Sequence, residues 1–482
     1  MTERAVDVVV IGAGAIGENV AGRAVRGGLS VVLVEAELVG GECSYWACMP
    51  SKALLRPGET LTTIKAVPGA AAAVTGKIDP GAVLAWRDRM ASNWDDAGQV
   101  EWVTSAGIEL VRGHARFTGE RQVEIHPADG SESEGDPIRF RARQAVVVAT
   151  GSEPLIPPVP GLAEAPYWTT RDATSTHEIP AELIILGGGV VGVELAQAFT
   201  SLGSQVTLIA RSVLLGRHEP FAGTMLRKAL EEQGVRVITR GAVSSVETDA
   251  DGRFTVRLEA GTASGERLLV ATGRKPVSHD LGLEQFGLRP GEPLEVDDSG
   301  RVSAVPGGWL YAAGDVNGRA LLTHQGKYQA RVVGDVIAAR AAGTVGDEVD
   351  PWSPYAMTAD HASVPQVVFT LPQVASVGLT QAEAEVQAAT RGLRFRAIEI
   401  PIAVGGSSVH SENYTGRAVL VLDQDRQTVI GATFVGPDVA DLLHSATIAV
   451  VGEVPLHRLW HAVPSYPTIS EVWLRLLEAA GL

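Results

Sequence analysis

The stretch VDVVVIGAGAIG, residues 6–17, decides the fold of this 482-residue chain. Its pattern predicts a buried β-strand over Val6–Ile11 that runs into a glycine turn, then a helix from about Glu18 to Gly27 and a second strand over Ser30–Val34. The glycines of the turn are Gly12, Gly14 and Gly17. They would admit a pyrophosphate to the helix N-terminus, and Glu35 after the second strand would accept a ribose hydroxyl. The stretch therefore predicts a dinucleotide-binding βαβ unit.

A second unit of this kind occurs at residues 182–194, ELIILGGGVVGVE. Its glycines are Gly187, Gly189 and Gly192. Its second strand, Gln205–Ile209, is followed by Arg211 and lacks the terminal acid of the first unit. Arg211, and with it Arg217, offers a guanidinium group that can pair with a 2′-phosphate. The alternative is that Arg211 is a solvated charge at a strand end. We predict that the second unit prefers NADPH to NADH.

The only two cysteines of the chain, Cys43 and Cys48, lie just after the first unit in the loop GGECSYWACMPSK, Gly40 to Lys52. Two free cysteines can be inert and buried, and two this close can also close a small disulfide ring. A static ring of that size would constrain little of the unfolded chain. The loop offers too few soft ligands for a metal site. We therefore favour a reversible redox pair beside the first dinucleotide.

Length and composition narrow the class of protein further. A chain of 482 residues suggests about three domains of ~150 residues. Its net charge of −16, without a basic tract, argues against a nucleic-acid or anionic-membrane partner. The first apolar strand, Val6–Ile11, starts too early for a secretory signal, and no apolar run approaches the ~20 residues that a membrane span needs, so we expect neither. We expect a cytoplasmic enzyme, in which a cysteine pair is more often catalytic than structural.

The cysteine loop resembles a motif of the pyridine nucleotide-disulfide oxidoreductases, flavoenzymes that include dihydrolipoyl dehydrogenase, glutathione reductase and mercuric reductase. The matching residues are Gly40, Gly41, Cys43, Cys48, Pro50, Ser51 and Lys52. Further stretches resemble the family's motifs in the family's order: VVVATGSEP (146–154), LLVATGRKP (268–276), LYAAGDVNG (310–318), LLTHQGKYQA (321–330) and VPQVVFTLPQVASVGLT (364–380). The resemblance covers nearly the whole chain.

The resemblance implies an α/β fold with two Rossmann-like nucleotide-binding domains, for FAD and NAD(P), and a C-terminal α+β dimerisation domain. The FAD-binding domain would comprise residues 1–155 and 276–350, and the NAD(P)H-binding domain residues 156–275. The dimerisation domain would comprise residues 351–482. A homodimer would then complete each active site across a two-fold interface.

The resemblance also implies roles for individual residues. Electrons would pass from NADPH through FAD to a Cys43–Cys48 disulfide, with Cys48 facing the flavin and Cys43 meeting the substrate. Lys52, one helical turn beyond Cys48, would lie near the flavin with Glu194 as its partner. Residues expected to bind FAD are Gly12, Gly14, Gly17, Glu35, Gly41, Lys52, Ala115, Thr150, Gly151, Asp315, which would bond the ribityl chain, and His324. Residues expected to bind NADPH are Gly187, Gly189, Gly192, Glu194, Arg211, Arg217 and Gly273.

One position departs from the family pattern. Members that exchange disulfides carry HPT..E near the C-terminus, in which a glutamate holds a histidine that shuttles protons to the partner subunit's outer thiol. This chain reads SYPTISE, with Tyr466 in place of the histidine and Glu471 retained. A phenol with a pKa near ~10 cannot replace an imidazole with a pKa near ~6.5 at neutral pH. The nearby His457 or His461 could take the place of the missing histidine, but we interpret both as ordinary helix or loop histidines.

Mercuric reductase also has a tyrosine at this position, and IARS, residues 209–212, is similar to its NADPH site. That enzyme, however, requires an additional cysteine pair near the C-terminus, where this sequence reads LRLLEAAGL. We also expect no counterpart of its N-terminal metal-carrier domain. Mercury is therefore not expected to be the physiological substrate. Tyr45 and Trp46, between the cysteines, either pack in the core or form an aromatic wall suited to a flat acceptor.

Three hypotheses follow for the function. The first is an NADPH-dependent reductase whose acceptor does not need the histidine: a metal ion, a quinone-like compound or a reactive disulfide. The second is a dihydrolipoyl dehydrogenase or low-molecular-weight disulfide reductase with a replaced proton shuttle. The third is a redox-sensing flavoprotein with little turnover. We favour the first.

Overall fold

A computed structural model describes residues 3–127, 136–259 and 261–482. Its strands, in chain order, are β1 Glu3–Ile11, β2 Val31–Glu35, β3 Glu109–Arg112, β4 His114–Gly119, β5 Gln122–His126, β6 Ile138–Val148, β7 Ser152–Pro154, β8 Glu182–Leu186, β9 Gln205–Ile209, β10 Arg236–Ile238, β11 Val243–Thr248, β12 Phe254–Leu258, β13 Gly261–Gly265, β14 Arg267–Val270, β15 Arg274–Pro276, β16 Leu310–Ala312, β17 Gln366–Val368, β18 Gln373–Gly378, β19 Phe395–Pro401, β20 Arg417–Asp423 and β21 Thr428–Gly436. Its α-helices are α1 Ala15–Arg26, α2 Gly41–Tyr45, α3 Cys48–Lys65, α4 Pro80–Met90, α5 Ala97–Ser105, α6 Thr170–Ser175, α7 Val190–Ser201, α8 Pro220–Glu232, α9 Thr323–Ala341, α10 Gln381–Arg391, α11 Gly405–His410, α12 Leu443–Val451, α13 Leu456–Leu459 and α14 Val472–Ala480.

Residues 1–50, 88–155 and 274–360 form the first of two compact units. Its described strands form a seven-stranded sheet in the order β3-β2-β1-β6-β5-β4, with β16 also paired to β6. β1 runs parallel to both β2 and β6, and α1 is the crossover from β1 to β2. The second half of β1 is fully apolar and buried, as expected for a central parallel strand.

Two glycines fix the turn between β1 and α1. A Cβ at Gly12, whose φ is +98°, would lie 2.6 Å from the Ala149 carbonyl oxygen, and one at Gly17 would lie 1.8 Å from the Gly12 carbonyl oxygen. No larger residue fits at either position. The predicted helix start at Glu18 is wrong, because the chain already turns helical at Ala15, directly after the N-cap Gly14.

Residues 51–87, 156–273 and 361–482 form the second unit. Within its described residues, a parallel sheet has the order β10-β9-β8-β14, and β11-β12-β13 form a separate antiparallel sheet. The turn after β8 repeats the construction of the first unit. A Cβ at Gly187 would lie 2.1 Å from the Ala271 carbonyl oxygen, and one at Gly192 would lie 1.9 Å from the Gly187 carbonyl oxygen. The strands predicted for this βαβ unit are confirmed.

The C-terminal part of the second unit is an antiparallel sheet in the order β17-β18-β21-β20-β19. α12 packs against β18 and β21, and α14 packs against β19 and β20, so that one apolar core joins helices and sheet. These arrangements confirm the predicted α/β class with two Rossmann-like units and a C-terminal α+β segment. In the part of the chain that the structure describes, no helix is long and apolar enough to cross a membrane.

Candidate active site

The N-terminus of α1 in the first unit forms an open cradle. Gly14 caps this helix without any side-chain hydrogen bond, and a Cβ added to Gly14 would meet no atom closer than 3.9 Å. At the end of β2, Glu35 Oε2 accepts the Ala13 N–H at 2.7 Å and Oε1 accepts the Glu37 N–H at 2.8 Å. Burial raises the pKa of Glu35. Each carboxylate oxygen keeps a second lone pair, so the cradle fits a pyrophosphate and an adjacent ribose hydroxyl, as FAD requires.

Asp315, in the same unit, is held by two linked hydrogen bonds that begin at Arg274 and pass through Ser152. The Ser152 hydroxyl donates to Asp315 Oδ2 at 2.6 Å, and Arg274 Nε donates to Ser152 Oγ at 2.7 Å. Burial raises the pKa of Asp315, and the Ser152 hydrogen bond opposes this shift. The sequence predicted Asp315 but neither of its supports, because Ser152 and Arg274 meet only through the pairing of β7 with β15.

Apart from Lys52, which lies in the second unit, the remaining residues predicted to bind FAD are distributed over the first unit. Thr150 Oγ1 donates to the Val277 carbonyl oxygen at 2.5 Å, and Gly151 follows with a φ of +72°. Ala115 is buried in β4, and His324 lies in the first turn of α9. Gly41 packs against α1, because a Cβ there would lie 2.8 Å from the Gly14 Cα.

The two cysteines lie in helices, and the prediction of a single loop is wrong. Gly40 and Gly41 take φ values of +114° and +60°, and the chain then forms the short helix α2, which carries Cys43. The N–H groups of Trp46 and Ala47 both bond to the Glu42 carbonyl oxygen, which ends this helix. Cys48 is the first residue of α3.

Cys43 and Cys48 are thiols that hydrogen-bond to each other. Cys48 Sγ also lies 3.3 Å from the hydroxyl of Thr323, the first residue of α9. The hydrogen bond with Cys48 and burial both raise the pKa of Cys43. The Thr323 hydroxyl opposes this shift and lowers the pKa of Cys43, so this hydroxyl acts on both thiols of the pair.

Thr323 is a residue that the sequence did not predict, and its hydroxyl should stabilise the Cys48 thiolate. In a Cys43→Ser background, Thr323→Val should raise the pKa of Cys48 by about 0.5–1 unit, because one hydrogen bond to the charged sulfur is lost. A pH titration of the ultraviolet thiolate absorbance measures this shift. Thr323→Ser keeps a hydroxyl and is the matched control. Equal titration curves for the valine and serine variants would show that the contact carries no electrostatic role.

Lys52 and Glu194 form an ion pair within the second unit, in which Glu194 is buried and Lys52 is partly exposed. Lys52 Nζ lies 2.7 Å from Glu194 Oε2, and Glu194 is only 3% exposed. Glu194 Oε1 accepts the backbone N–H of Phe369 at 2.9 Å, and the Phe369 ring centroid is 4.9 Å from Lys52 Nζ. The lysine is therefore held by a carboxylate and an aromatic face together. The sequence predicted the pair but not Phe369, which comes from a segment 175 residues after Glu194.

The second nucleotide cradle, at the N-terminus of α7, is as open as the first. Gly189 caps the helix without a side-chain hydrogen bond, and a Cβ there would meet no atom within 4 Å. Beyond β9, Ala210 is buried, and Arg211 and Arg217 are exposed. Among residues 3–127, 136–259 and 261–482, neither arginine makes an ion pair or a side-chain hydrogen bond. Gly273 lies three residues beyond β14.

Tyr466, in the position of the family's histidine, is 79% exposed and its hydroxyl makes no hydrogen bond to any described residue. Its ring covers Gly405, where an added Cβ would lie 2.8 Å from the ring atom Cε2. Glu471 is buried and accepts the Gly406 N–H at 3.2 Å. The glutamate thus binds backbone and does not orient the tyrosine. His457 and His461 are both exposed.

Of the two aromatic residues between the cysteines, Tyr45 packs in the core and cannot form a wall for an acceptor. Tyr45 is fully buried, and its hydroxyl donates to the Val39 carbonyl oxygen at 2.8 Å. Burial raises the pKa of Tyr45 to about 12. Trp46 is partly exposed and packs edge-on against Tyr45, with ring centroids 5.6 Å apart. Of these two rings, only that of Trp46 is exposed enough to contact an acceptor.

Two dinucleotide cradles and a dithiol define a flavin-dependent pyridine nucleotide oxidoreductase. Residues 6–343 match the family model for pyridine nucleotide-disulphide oxidoreductases, and residues 364–477 match the model for the dimerisation domain of that family. The chain belongs to the pyridine nucleotide-disulphide oxidoreductases. This family uses FAD and a pyridine nucleotide.

Relatives with different substrates are similar over nearly the whole chain. A mercuric reductase of Lysinibacillus sphaericus is 30% identical over 96% of this chain and 81% of its own length. A dihydrolipoyl dehydrogenase of Thermus scotoductus is 32% identical over 98% of this chain and 97% of its own length. The fold is similar to that of the HOCl-induced flavoprotein disulfide reductase RclA of Escherichia coli, solved as a Cu(II) complex, with a TM-score of 0.82, 22% identity and 99% coverage of both chains.

Proposed function

We propose that this protein passes electrons from NADPH, through FAD and the Cys43–Cys48 pair, to an acceptor that needs no histidine at position 466. A metal ion, a quinone-like compound or a reactive, low-pKa disulfide meets that condition. The observation that carries the proposal is the hydrogen bond between the only two cysteines of the chain. Oxidation of the dithiol to a disulfide releases two electrons and two protons, which the acceptor or solvent takes up.

Each domain of the chain would have its own role in this electron transfer. FAD, bound by residues 1–155 and 276–350, would supply the conversion of a hydride from NADPH into an electron pair that the disulfide accepts. NADPH would bind to residues 156–275, with its 2′-phosphate at Arg211. Residues 351–482 would join two copies into a homodimer, in which Tyr466 of one copy faces the redox pair of the other. We place the enzyme in the cytoplasm, where a cysteine pair is more often catalytic than structural.

The second candidate is a dihydrolipoyl dehydrogenase or low-molecular-weight disulfide reductase. The similarity to the Thermus scotoductus dihydrolipoyl dehydrogenase supports it. Against it stands the exposed phenol of Tyr466, which Glu471 does not orient. A phenol also lacks the basic ring nitrogen through which a histidine takes a proton from the thiol.

Steady-state NADPH oxidation with lipoamide, glutathione disulfide, a quinone, Hg(II) and Cu(II) separates the candidates. Tyr466→Phe should leave the best acceptor's kcat/KM within about threefold, because the phenol moves no proton there. Tyr466→His should raise kcat/KM for ordinary disulfides by about 100-fold, the lower end of what a positioned acid–base group contributes. Rapid turnover of lipoamide by both wild type and Tyr466→Phe would contradict the claim that the residue at position 466 prevents the reduction or oxidation of dithiol substrates. Flavin reduction without turnover on any acceptor would favour a redox sensor.

A further inference from the structure

Gln329 is a fully buried amide in α9 that no step of the proposed reaction uses, and it contacts the turn that carries Asp315. Its Oε1 accepts the backbone N–H of Gly314 at 2.8 Å and an Nδ2–H of Asn317 at 2.9 Å. Gly314 directly precedes Asp315, and Asn317 follows it by two residues. One amide oxygen therefore holds the turn on both sides of the acid that is expected to bond the ribityl chain of FAD.

Asp360 determines which end of the Gln329 amide faces this turn. Its side chain is only 1% exposed. Its Oδ2 accepts a hydrogen bond from Gln329 Nε2 at 2.9 Å, and its Oδ1 accepts one from Gln325 Nε2 at 2.6 Å. Because a carboxylate only accepts hydrogen bonds, the Gln329 amide must turn its NH₂ group towards Asp360. The amide oxygen is then left for Gly314 and Asn317.

Arg319 compensates the charge of Asp360 and connects the network back to the turn. Its Nη1 lies 3.6 Å from Asp360 Oδ2 and 3.0 Å from Asp298 Oδ1, and its backbone N–H donates to Asn317 Oδ1 at 3.0 Å. Burial raises the pKa of Asp360, and the hydrogen bonds from the two glutamine amides and the charge of Arg319 lower it. These contacts offset the cost of burying a carboxylate.

The turn depends on the Gln329 oxygen because both of its donors point into the protein interior. Without that oxygen, the Gly314 N–H would lose its acceptor, and Asn317 Nδ2 would keep only a long contact of 3.5 Å with the Ala312 carbonyl oxygen. Asn317 is only 4% exposed, so water does not replace the lost acceptor. An unsatisfied buried donor is costly, and the turn would relax to avoid it. Asp315 would then move with the turn.

We propose that Gln329, oriented by Asp360, is a positioning residue for FAD. It fixes the backbone beside Asp315, while Ser152 fixes the Asp315 side chain. The carboxyl group is thereby held in one place for the ribityl hydroxyls before FAD binds, which lowers the cost of binding. This inference rests on the proposed function in one respect, namely that Asp315 binds FAD. It does not depend on the nucleotide donor or on the acceptor.

Release of FAD from the full-length holoenzyme tests this inference, with the rate read from the rise of free-flavin fluorescence after dilution. Gln329→Met should increase the rate about tenfold, because two buried donors lose their acceptor. Gln325→Met is the matched control. This second glutamine of α9 is also buried and also bonds to Asp360, but its amide makes no hydrogen bond to the described residues 314–317. It should stay within about threefold of the wild-type rate.

A double-mutant cycle separates the positioning of Asp315 from a general loss of packing. Asp315→Ala should increase the rate of FAD release about 30-fold, because hydrogen bonds to a charged group are lost. Adding Gln329→Met to this variant should change the rate less than about twofold, since the amide acts through Asp315. A wild-type rate in Gln329→Met, or full additivity of the two changes, overturns the inference. A wild-type rate in Asp315→Ala instead refutes the proposed role of Asp315, on which the inference rests.

An exchange of donor and acceptor tests the role of Asp360. Gln329→Glu keeps an acceptor for Gly314 and Asn317 but places two carboxylates against each other, so it should increase the rate of FAD release about tenfold. Adding Asp360→Asn supplies an amide that donates to the new carboxylate, and it should return the rate to within about threefold of wild type. If the second change does not slow the release of FAD, Asp360 does not orient the amide and this part of the inference is overturned.

Discussion

Cys48→Ser should lower NADPH-dependent acceptor turnover by about 1,000-fold or more, because the remaining thiol of Cys43 has no partner with which to form a disulfide. Bleaching of the bound flavin by NADPH in a stopped-flow experiment should persist, since nucleotide binding does not involve either sulfur. The long-wavelength charge-transfer absorbance of the two-electron-reduced enzyme should disappear.

Cys43→Ser is the matched control for this result. It should lose turnover to a similar degree but retain the long-wavelength absorbance, because Cys48 and its contact with Thr323 remain. Two equal losses of turnover with opposite spectra distinguish the inner thiol from the outer one. Persistence of the band in Cys48→Ser would overturn the assigned order of the cysteines.

Arg211→Glu should shift the ratio of kcat/KM for NADPH to that for NADH by about 100-fold towards NADH. The wild-type side chain is exposed and, among the described residues, has no carboxylate partner, so it can bind a phosphate. Loss of one or two charge-assisted hydrogen bonds, with a new repulsion, accounts for a change of this size.

Lys228→Glu supplies the control for Arg211→Glu, because it also reverses the charge of an exposed side chain, here one in α8 that lies 3.8 Å from Glu232. It should leave the NADPH/NADH ratio unchanged, which separates a local contact from a general change of surface charge. An unchanged ratio in Arg211→Glu would remove Arg211 from the nucleotide site.

The sequence predicted those parts of the fold that local sterics determine. A Cβ would collide with backbone at four glycines, which are Gly12, Gly17, Gly187 and Gly192. The spacing of these glycines alone therefore predicts the two turns. The predicted start of α1 is wrong because the helix begins at Ala15, inside the glycine motif and directly after Gly14. The cysteine segment was predicted as a loop because α2 has only five residues, too short for a helical hydrophobic pattern.

The contacts that tune the site could not be predicted, because they join distant segments. Thr323 meets Cys48 across 275 residues, and Ser152 meets Asp315 across 163 residues. Nothing in the sequence around Phe369 marks it as unusual. Its contact with Lys52 arises from packing, which a single sequence without aligned relatives does not report.

If the dithiol delivers NADPH electrons to the acceptor without a histidine shuttle, removing both cysteines must stop the reduction of the acceptor. This can be measured as kcat/KM for NADPH oxidation by wild type and Cys43→Ser/Cys48→Ser with the same panel of acceptors. We expect Hg(II), Cu(II) or a quinone to be reduced faster than lipoamide and this activity to be lost in the double variant. Retention of that activity without the cysteines, or lipoamide as the best wild-type acceptor, would contradict it.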